Sequence, residues 1–207
     1  GDEIITGSMS HIFLNEGGSA SALGSVHVRM VPDRDGIPNP VDTEEAIRAT
    51  TSINVPRSSL LCLENTHNAA SGAVSSPEQI STLANIAHDR GLAVHFDGAR
   101  LFNAAVAMNI PAADLVKDVD SVTFCLSKGL CCPAGSLICG SHEFIQMARK
   151  NRGMVGGAMR QIGVIAAPGI VALENMVDRL AEDHENALNL AKGLAEIPGI
   201  ILDPRRI

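Results

Sequence analysis

Phe124-Cys125-Leu126-Ser127-Lys128-Gly129-Leu130 is the stretch on which the reading of this chain turns. An apolar run ends, one lysine follows, and small residues flank it. A strand buried on both faces reads as such a run, and a parallel sheet buries its strands in that way. Thirty-one positions upstream, Val94-His95-Phe96-Asp97-Gly98-Ala99-Arg100 repeats the plan with a carboxylate at the strand end.

Outward from these two segments, short β-rich runs alternate with helical patterns. The predicted strands are 3–6, 26–31, 59–63, 93–96, 121–126 and 136–139. Pro77 after Ser75-Ser76 opens a helix to Arg90, and Gly91 closes it. A helix starts near Val41, another spans 142–152, and a long one spans 161–183 with a kink expected at Pro168. An amphipathic helix over 183–197 and the start of a strand at 200–202 complete the pattern. The βαβα order predicts an α/β fold, a mostly parallel sheet with helices on both faces. Ligands of such sheets sit at the carboxyl ends of the strands, where Asp97 and Lys128 fall.

The chain has 207 residues, 45% of them hydrophobic, enough for one domain with a sizeable core. A net charge of -7 argues against nucleic acid or an anionic membrane as partner, and the absence of Trp and Tyr removes single-strand stacking platforms. No apolar run has the length of a membrane span. Of five cysteines, Cys62, Cys125 and Cys139 read as core thiols, and adjacent Cys131-Cys132 lack the spacing of a zinc site, so a reducing, cytoplasmic compartment is the simplest reading.

An amine and a carboxylate at neighbouring strand ends suit pyridoxal phosphate. The lysine forms the Schiff base and the carboxylate keeps the ring nitrogen protonated. Lys128 has room beside Ser127 and Gly129, with Leu130 and Pro133 enclosing it; the competing reading is a surface lysine. Asp97 equally suits the N-cap of a helix starting near Gly98. Arg100, one helical turn beyond Asp97, has a fork of donors for a carboxylate or a ring hydroxyl. His11, at the start of a helix, can stack on a flat ring or simply begin that helix. His95 is read as a packed core histidine on the face opposite Asp97. Glu64-Asn65-Thr66-His67-Asn68 reads as a ligand loop or as a turn capped by side chains. Gly156-Gly157 precede a helix with Arg160 in its first turn, where backbone amides meet phosphate or another subunit.

Together, Leu63-Glu64-Asn65-Thr66-His67-Asn68, His95-Phe96-Asp97-Gly98-Ala99-Arg100, Leu126-Ser127-Lys128-Gly129-Leu130 and Gly156-Gly157-Ala158-Met159-Arg160-Gln161 resemble the threonine aldolase family. Those are pyridoxal-phosphate lyases with the aspartate aminotransferase-like fold. The resemblance implies cleavage of a β-hydroxy-α-amino acid, L-threonine or L-allo-threonine, to glycine and acetaldehyde. It implies Lys128 as Schiff-base lysine, Asp97 on the pyridine nitrogen, His11 stacked on the ring, Arg100 on the ring hydroxyl or substrate carboxylate, and Arg160 at the cofactor. It further implies a homodimer or homotetramer.

Two departures stand out. Asn54 replaces a histidine common in the family, and Gly153 replaces a lysine. The resemblance also marks the chain as a central fragment. Residues 1–180 correspond to a cofactor-binding large domain without its Ser-Gly-Thr phosphate loop, and 181–207 to the start of a small domain. Such a piece is expected to be poorly soluble and inactive. A non-catalytic remnant, or a transaminase, racemase or β-eliminating activity on the same fold, remains the alternative.

Overall fold

The computed structural model describes residues 1–48 and 52–206. In chain order its elements are β1 (Glu3–Gly7), α1 (His11–Leu14), α2 (Ser19–Gly24), β2 (His27–Val31), β3 (Asp33–Arg34), β4 (Ile37–Pro38), α3 (Pro40–Ala46), β5 (Ser58–Glu64), α4 (Pro77–Asp89), β6 (Ala93–Asp97), α5 (Leu101–Met108), α6 (Ala112–Leu115), β7 (Ser121–Cys125), β8 (Ser136–Gly140), α7 (His142–Met154), α8 (Gly163–Asn175) and α9 (Leu180–Ala195). Single 3-10 turns lie at Glu16–Gly18, Asn68–Ala70 and Pro204–Arg206. Ile207, the last residue of the predicted 181–207 segment, lies outside the described residues.

One sheet runs β2-β1-β5-β6-β7-β8, parallel throughout except for the antiparallel β7–β8 pair. A hairpin needs no crossover, and only ten residues separate β7 from β8. β3 and β4 form a separate two-stranded ribbon.

Strand period two divides the sheet between two chemistries. Ile5, Leu61, Leu63, Val94 and Phe96 join the core with Ile80, Leu83, Ala84 and Ala87 of α4 and Leu101, Ala104 and Ala105 of α5. Phe102 and Phe124 meet edge to face at 5.3 Å. On the other set of positions the register aligns Thr6, Cys62, His95 and Ser121 in one row. Glu64, Asp97 and Thr123 form the next row toward the carboxyl ends.

The helix signals act as their chemistry predicts. The Ser76 hydroxyl accepts from Gln79 N at 3.3 Å while Gln79 Oε1 accepts from Ser76 N at 2.9 Å, closing a capping box ahead of α4. Gly91 takes φ 73° just past its end. The predicted 161–183 helix is instead two helices. α8 runs through Pro168 and stops at Asn175, whose amide Nδ2 donates to Val171 O at 2.9 Å and competes with the helical ladder. α9 then begins earlier than expected because Leu180, 1% exposed, is drawn into the core. Residues 200–202 form no strand.

Candidate active site

The cavity of interest, about 150 Å³, opens between the carboxyl ends of β1, β5, β6 and β7 and the start of α1. Its lining includes Thr6, His11, Glu64, His95, Asp97 and Thr123.

Asp97 closes β6. Its Oδ1 accepts from Ala99 N at 3.1 Å, and its second oxygen has no hydrogen-bond partner among the described residues. The turn beyond it is drawn onto the next strand: Gly98 N donates to Thr123 O at 2.8 Å. A Cβ on Gly98 would stand 2.8 Å from that same oxygen, so only glycine permits the approach. α5 begins at Leu101, not near Gly98, and Asp97 caps a turn rather than a helix.

His11 lines the same cavity as Asp97. Its backbone N–H is held by Glu64 Oε2 at 2.7 Å. Asn15 Nδ2 donates to ring Nδ1 at 3.1 Å, which leaves the ring proton on Nε2, 2.8 Å from Glu16 Oε1. Glu16 is absent from the sequence reading. It has φ 61°, rare for a residue with a Cβ, and Gly17 and Gly18 follow at φ 60° and 69°. The Gly-Gly pair beside an acid five residues past a histidine was the available signal.

His95 corrects the sequence reading. Residues two apart share a strand face, so His95 points to the side of Asp97 and lines the cavity with it. Its Nδ1 meets Ser121 Oγ at 2.8 Å. Burial pushes its pKa below 6.5, opposed in part by the Asp97 charge. Burial, aided by Asp97, pushes the Cys62 thiol up to about 12.

Lys128 leaves β7 at the sheet end where Asp97 lies, but the expected enclosure is absent. The lysine is exposed and is not part of the cavity lining. Leu126, Leu130 and Cys132 turn inward around it. Gly129 is pressed so close to α9 that a Cβ would lie 2.8 Å from Leu180 Cδ2. Pro133 is also exposed.

The arginines are likewise set apart from the cavity. Arg100 is the non-helical residue before α5, and its Nη1 donates to Asn68 Oδ1 at 3.4 Å, so the turn of helix expected between it and Asp97 does not form. Arg160 is exposed and precedes α8 by three residues rather than sitting in its first turn. The Glu64–Asn68 segment behaves as the capped turn. Glu64 through His67 are buried, and Asn65 clasps Ser75 through both its N–H and its C=O.

The family model of the beta-eliminating lyases matches residues 1–207. The chain belongs to the beta-eliminating lyase family. This lyase-family chain is 44% identical over 202 residues to low-specificity L-threonine aldolase 1 of Arabidopsis thaliana, covering 97% of the chain and 56% of that protein. It is 42% identical over 196 residues to low specificity L-threonine aldolase of Escherichia coli (strain K12), covering 95% and 58%. It thus spans a little over half the length of these curated relatives. Among solved structures, Leishmania major threonine aldolase superposes with TM-score 0.79 at 21% identity, over 94% of the chain and 57% of that structure. Aspartate aminotransferase from Thermus thermophilus superposes with TM-score 0.69 at 15% identity, over 94% and 50%. At such identities these two structures show a shared fold.

Proposed function

We propose that the protein is a pyridoxal-phosphate-dependent aldehyde lyase of amino-acid catabolism. It cleaves L-threonine or L-allo-threonine to glycine and acetaldehyde. The observation that carries this reading is His11 and Asp97 lining one cavity at the carboxyl ends of the strands, in a chain 44% identical to a threonine aldolase.

Of the residues expected at the cofactor, Asp97 and His11 line the cavity, and their chemistry suits the ring. Asp97 offers an acceptor oxygen without a partner among the described residues, in a cavity that His11 also lines. Asp97 would hold the pyridine nitrogen in its protonated form, and Lys128 would supply the amine. When bound, the cofactor supplies an electron sink for the pair released as the Cα–Cβ bond breaks. His11 would stack on the ring and hold a proton at Nε2, shared with Glu16 Oε1. For Nε2 to take the substrate's β-hydroxyl proton, the ring would have to hold its own proton on Nδ1 instead, with the Asn15 amide turned to accept it. Arg100 would bind the ring hydroxyl or the substrate carboxylate, and Arg160 would add positive charge at the cofactor. Assembly as a homodimer or homotetramer accords with exposed Met154, Val155, Met159, Ile162 and Val164 around the α7–α8 connection. A cytoplasmic location accords with five free cysteines. No described helix is long and apolar enough to cross a membrane.

Asn54 and Gly153, standing where the family commonly has a histidine and a lysine, favour a second reading, a fold retained without its chemistry. Borohydride reduction in the presence of pyridoxal phosphate separates the two. The first predicts a stable adduct on Lys128, lost in Lys128→Ala, and, from the whole protein to which this piece belongs, glycine and acetaldehyde from L-threonine. Saturating cofactor without any adduct at Lys128 would refute it.

A further inference from the structure

Beneath α1 lie two buried carboxylates and one imidazole. The side chains of Asp33, Glu64 and His67 are 2%, 5% and 0% exposed. His67 Nε2 stands 3.6 Å from Glu64 Oε2 and 4.0 Å from Asp33 Oδ2, within ion-pair but beyond hydrogen-bond reach. Neither ring nitrogen has a hydrogen-bond partner among the described residues. The ring is clamped by Gly36 (φ 83°), where a Cβ would lie 2.4 Å from His67 Cγ.

The carboxylates hold the chain that leads from β1 into α1. Asp33 Oδ1 accepts from Ser8 Oγ at 3.0 Å and Oδ2 from Met9 N at 2.9 Å. Glu64 Oε2 accepts from His11 N at 2.7 Å and Oε1 from Asn68 N at 2.8 Å. All four donors are neutral. Among the described residues, no lysine or arginine forms an ion pair with either acid. Burying two anions without a counter-charge is strongly unfavourable. Among the described residues, the one side chain placed to supply that charge is His67.

We infer that His67 is a positioning residue: its positive charge offsets Asp33 and Glu64, and through them fixes Ser8–His11 and the His11 ring. That His11 belongs to a catalytic site rests on the proposed function; the charge balance does not. The test is a rescue experiment. Loss of the imidazole in His67→Leu should lower the melting temperature by on the order of 10 °C. The His11 imidazole resonance, identified by its absence in His11→Gln, should shift. Adding Asp33→Asn removes one negative charge while keeping both contacts, because the amide oxygen takes Met9 N and the amide nitrogen donates to Ser8 Oγ. The double variant should recover at least half of the lost melting temperature and the native His11 resonance. Additive losses, or a His11 signal that does not move, would overturn the inference. If His67→Leu does not fold, His67→Gln with and without Asp33→Asn runs the same comparison. No readout needs cofactor or substrate, so failure here is distinct from failure of the aldolase reading.

Discussion

His95 and Asp97 stand two residues apart on β6 and line the same cavity. The imidazole is desolvated there, and burial outweighs the attraction of the Asp97 charge, so its pKa falls below 6.5. The unfolded chain therefore takes up a proton that the fold refuses. This contribution to stability is complete above pH 6.5 and is lost as pH falls from 6.5 to the folded value. His95→Asn should flatten that slope while leaving the rest of the pH profile. Urea midpoints at half-unit steps between pH 7.5 and 5 measure it. Equal slopes in both proteins would mean that the folded chain accepts the proton.

Gly98 carries the turn that presents Asp97. A methyl group at this position would meet Thr123 O at 2.8 Å, and that oxygen belongs to a strand that cannot retreat. Gly98→Ala should cost about 1–3 kcal/mol, the range for overpacking a closed site. Thermal melts should show it, whereas Gly153→Ala, with open space around a glycine inside α7, should not destabilise and should gain up to about 1 kcal/mol of helix propensity.

Much of this arrangement is legible in the sequence, and the gaps have definite causes. The six strands of the main sheet appear near their predicted positions because each is an apolar run bounded by turn residues. The capping box at Ser76 and the stop at Gly91 are local chemistry, and local chemistry survives folding. The two-helix break at Asn175 was hidden because its side-chain bond to Val171 O competes with the ladder only once the helix exists. His95 was placed on the wrong face although period two alone assigns it. Glu16 was missed because its contact with His11 depends on three successive positive φ values, which no periodicity announces. The surroundings of Lys128 were not legible locally either, because Gly129 beside it packs against Leu180, 51 positions away in sequence.

Asn65 is the clasp of the Glu64–Asn68 turn. It is fully buried, and it satisfies both Ser75 N at 3.2 Å and Ser75 O at 3.0 Å. Asn65→Ala leaves a buried donor and a buried acceptor without partners, each worth about 1–3 kcal/mol. A loss of roughly 2–6 kcal/mol is expected in chemical denaturation. Asn65→Asp keeps the acceptor but turns a second oxygen toward the Ser75 carbonyl, so it should not restore the wild-type midpoint.

The five thiols should divide by environment rather than by sequence neighbourhood. Cys131 and Cys139 are exposed, whereas Cys132, next to Cys131, is buried. Cys62 is buried in the sheet, and its thiol is pushed up to about 12, first by burial and then by the Asp97 charge. The thiolate is the nucleophile, so Cys62 is protected by both access and protonation. Under native conditions at pH 8, iodoacetamide should modify Cys131 and Cys139 first and leave Cys62 intact; peptide mapping reads the order. Urea should bring Cys62 to the rate of the others. Early labelling of Cys62 in the native protein would show that α1 lifts from the sheet and opens the cavity that His11 and Asp97 share.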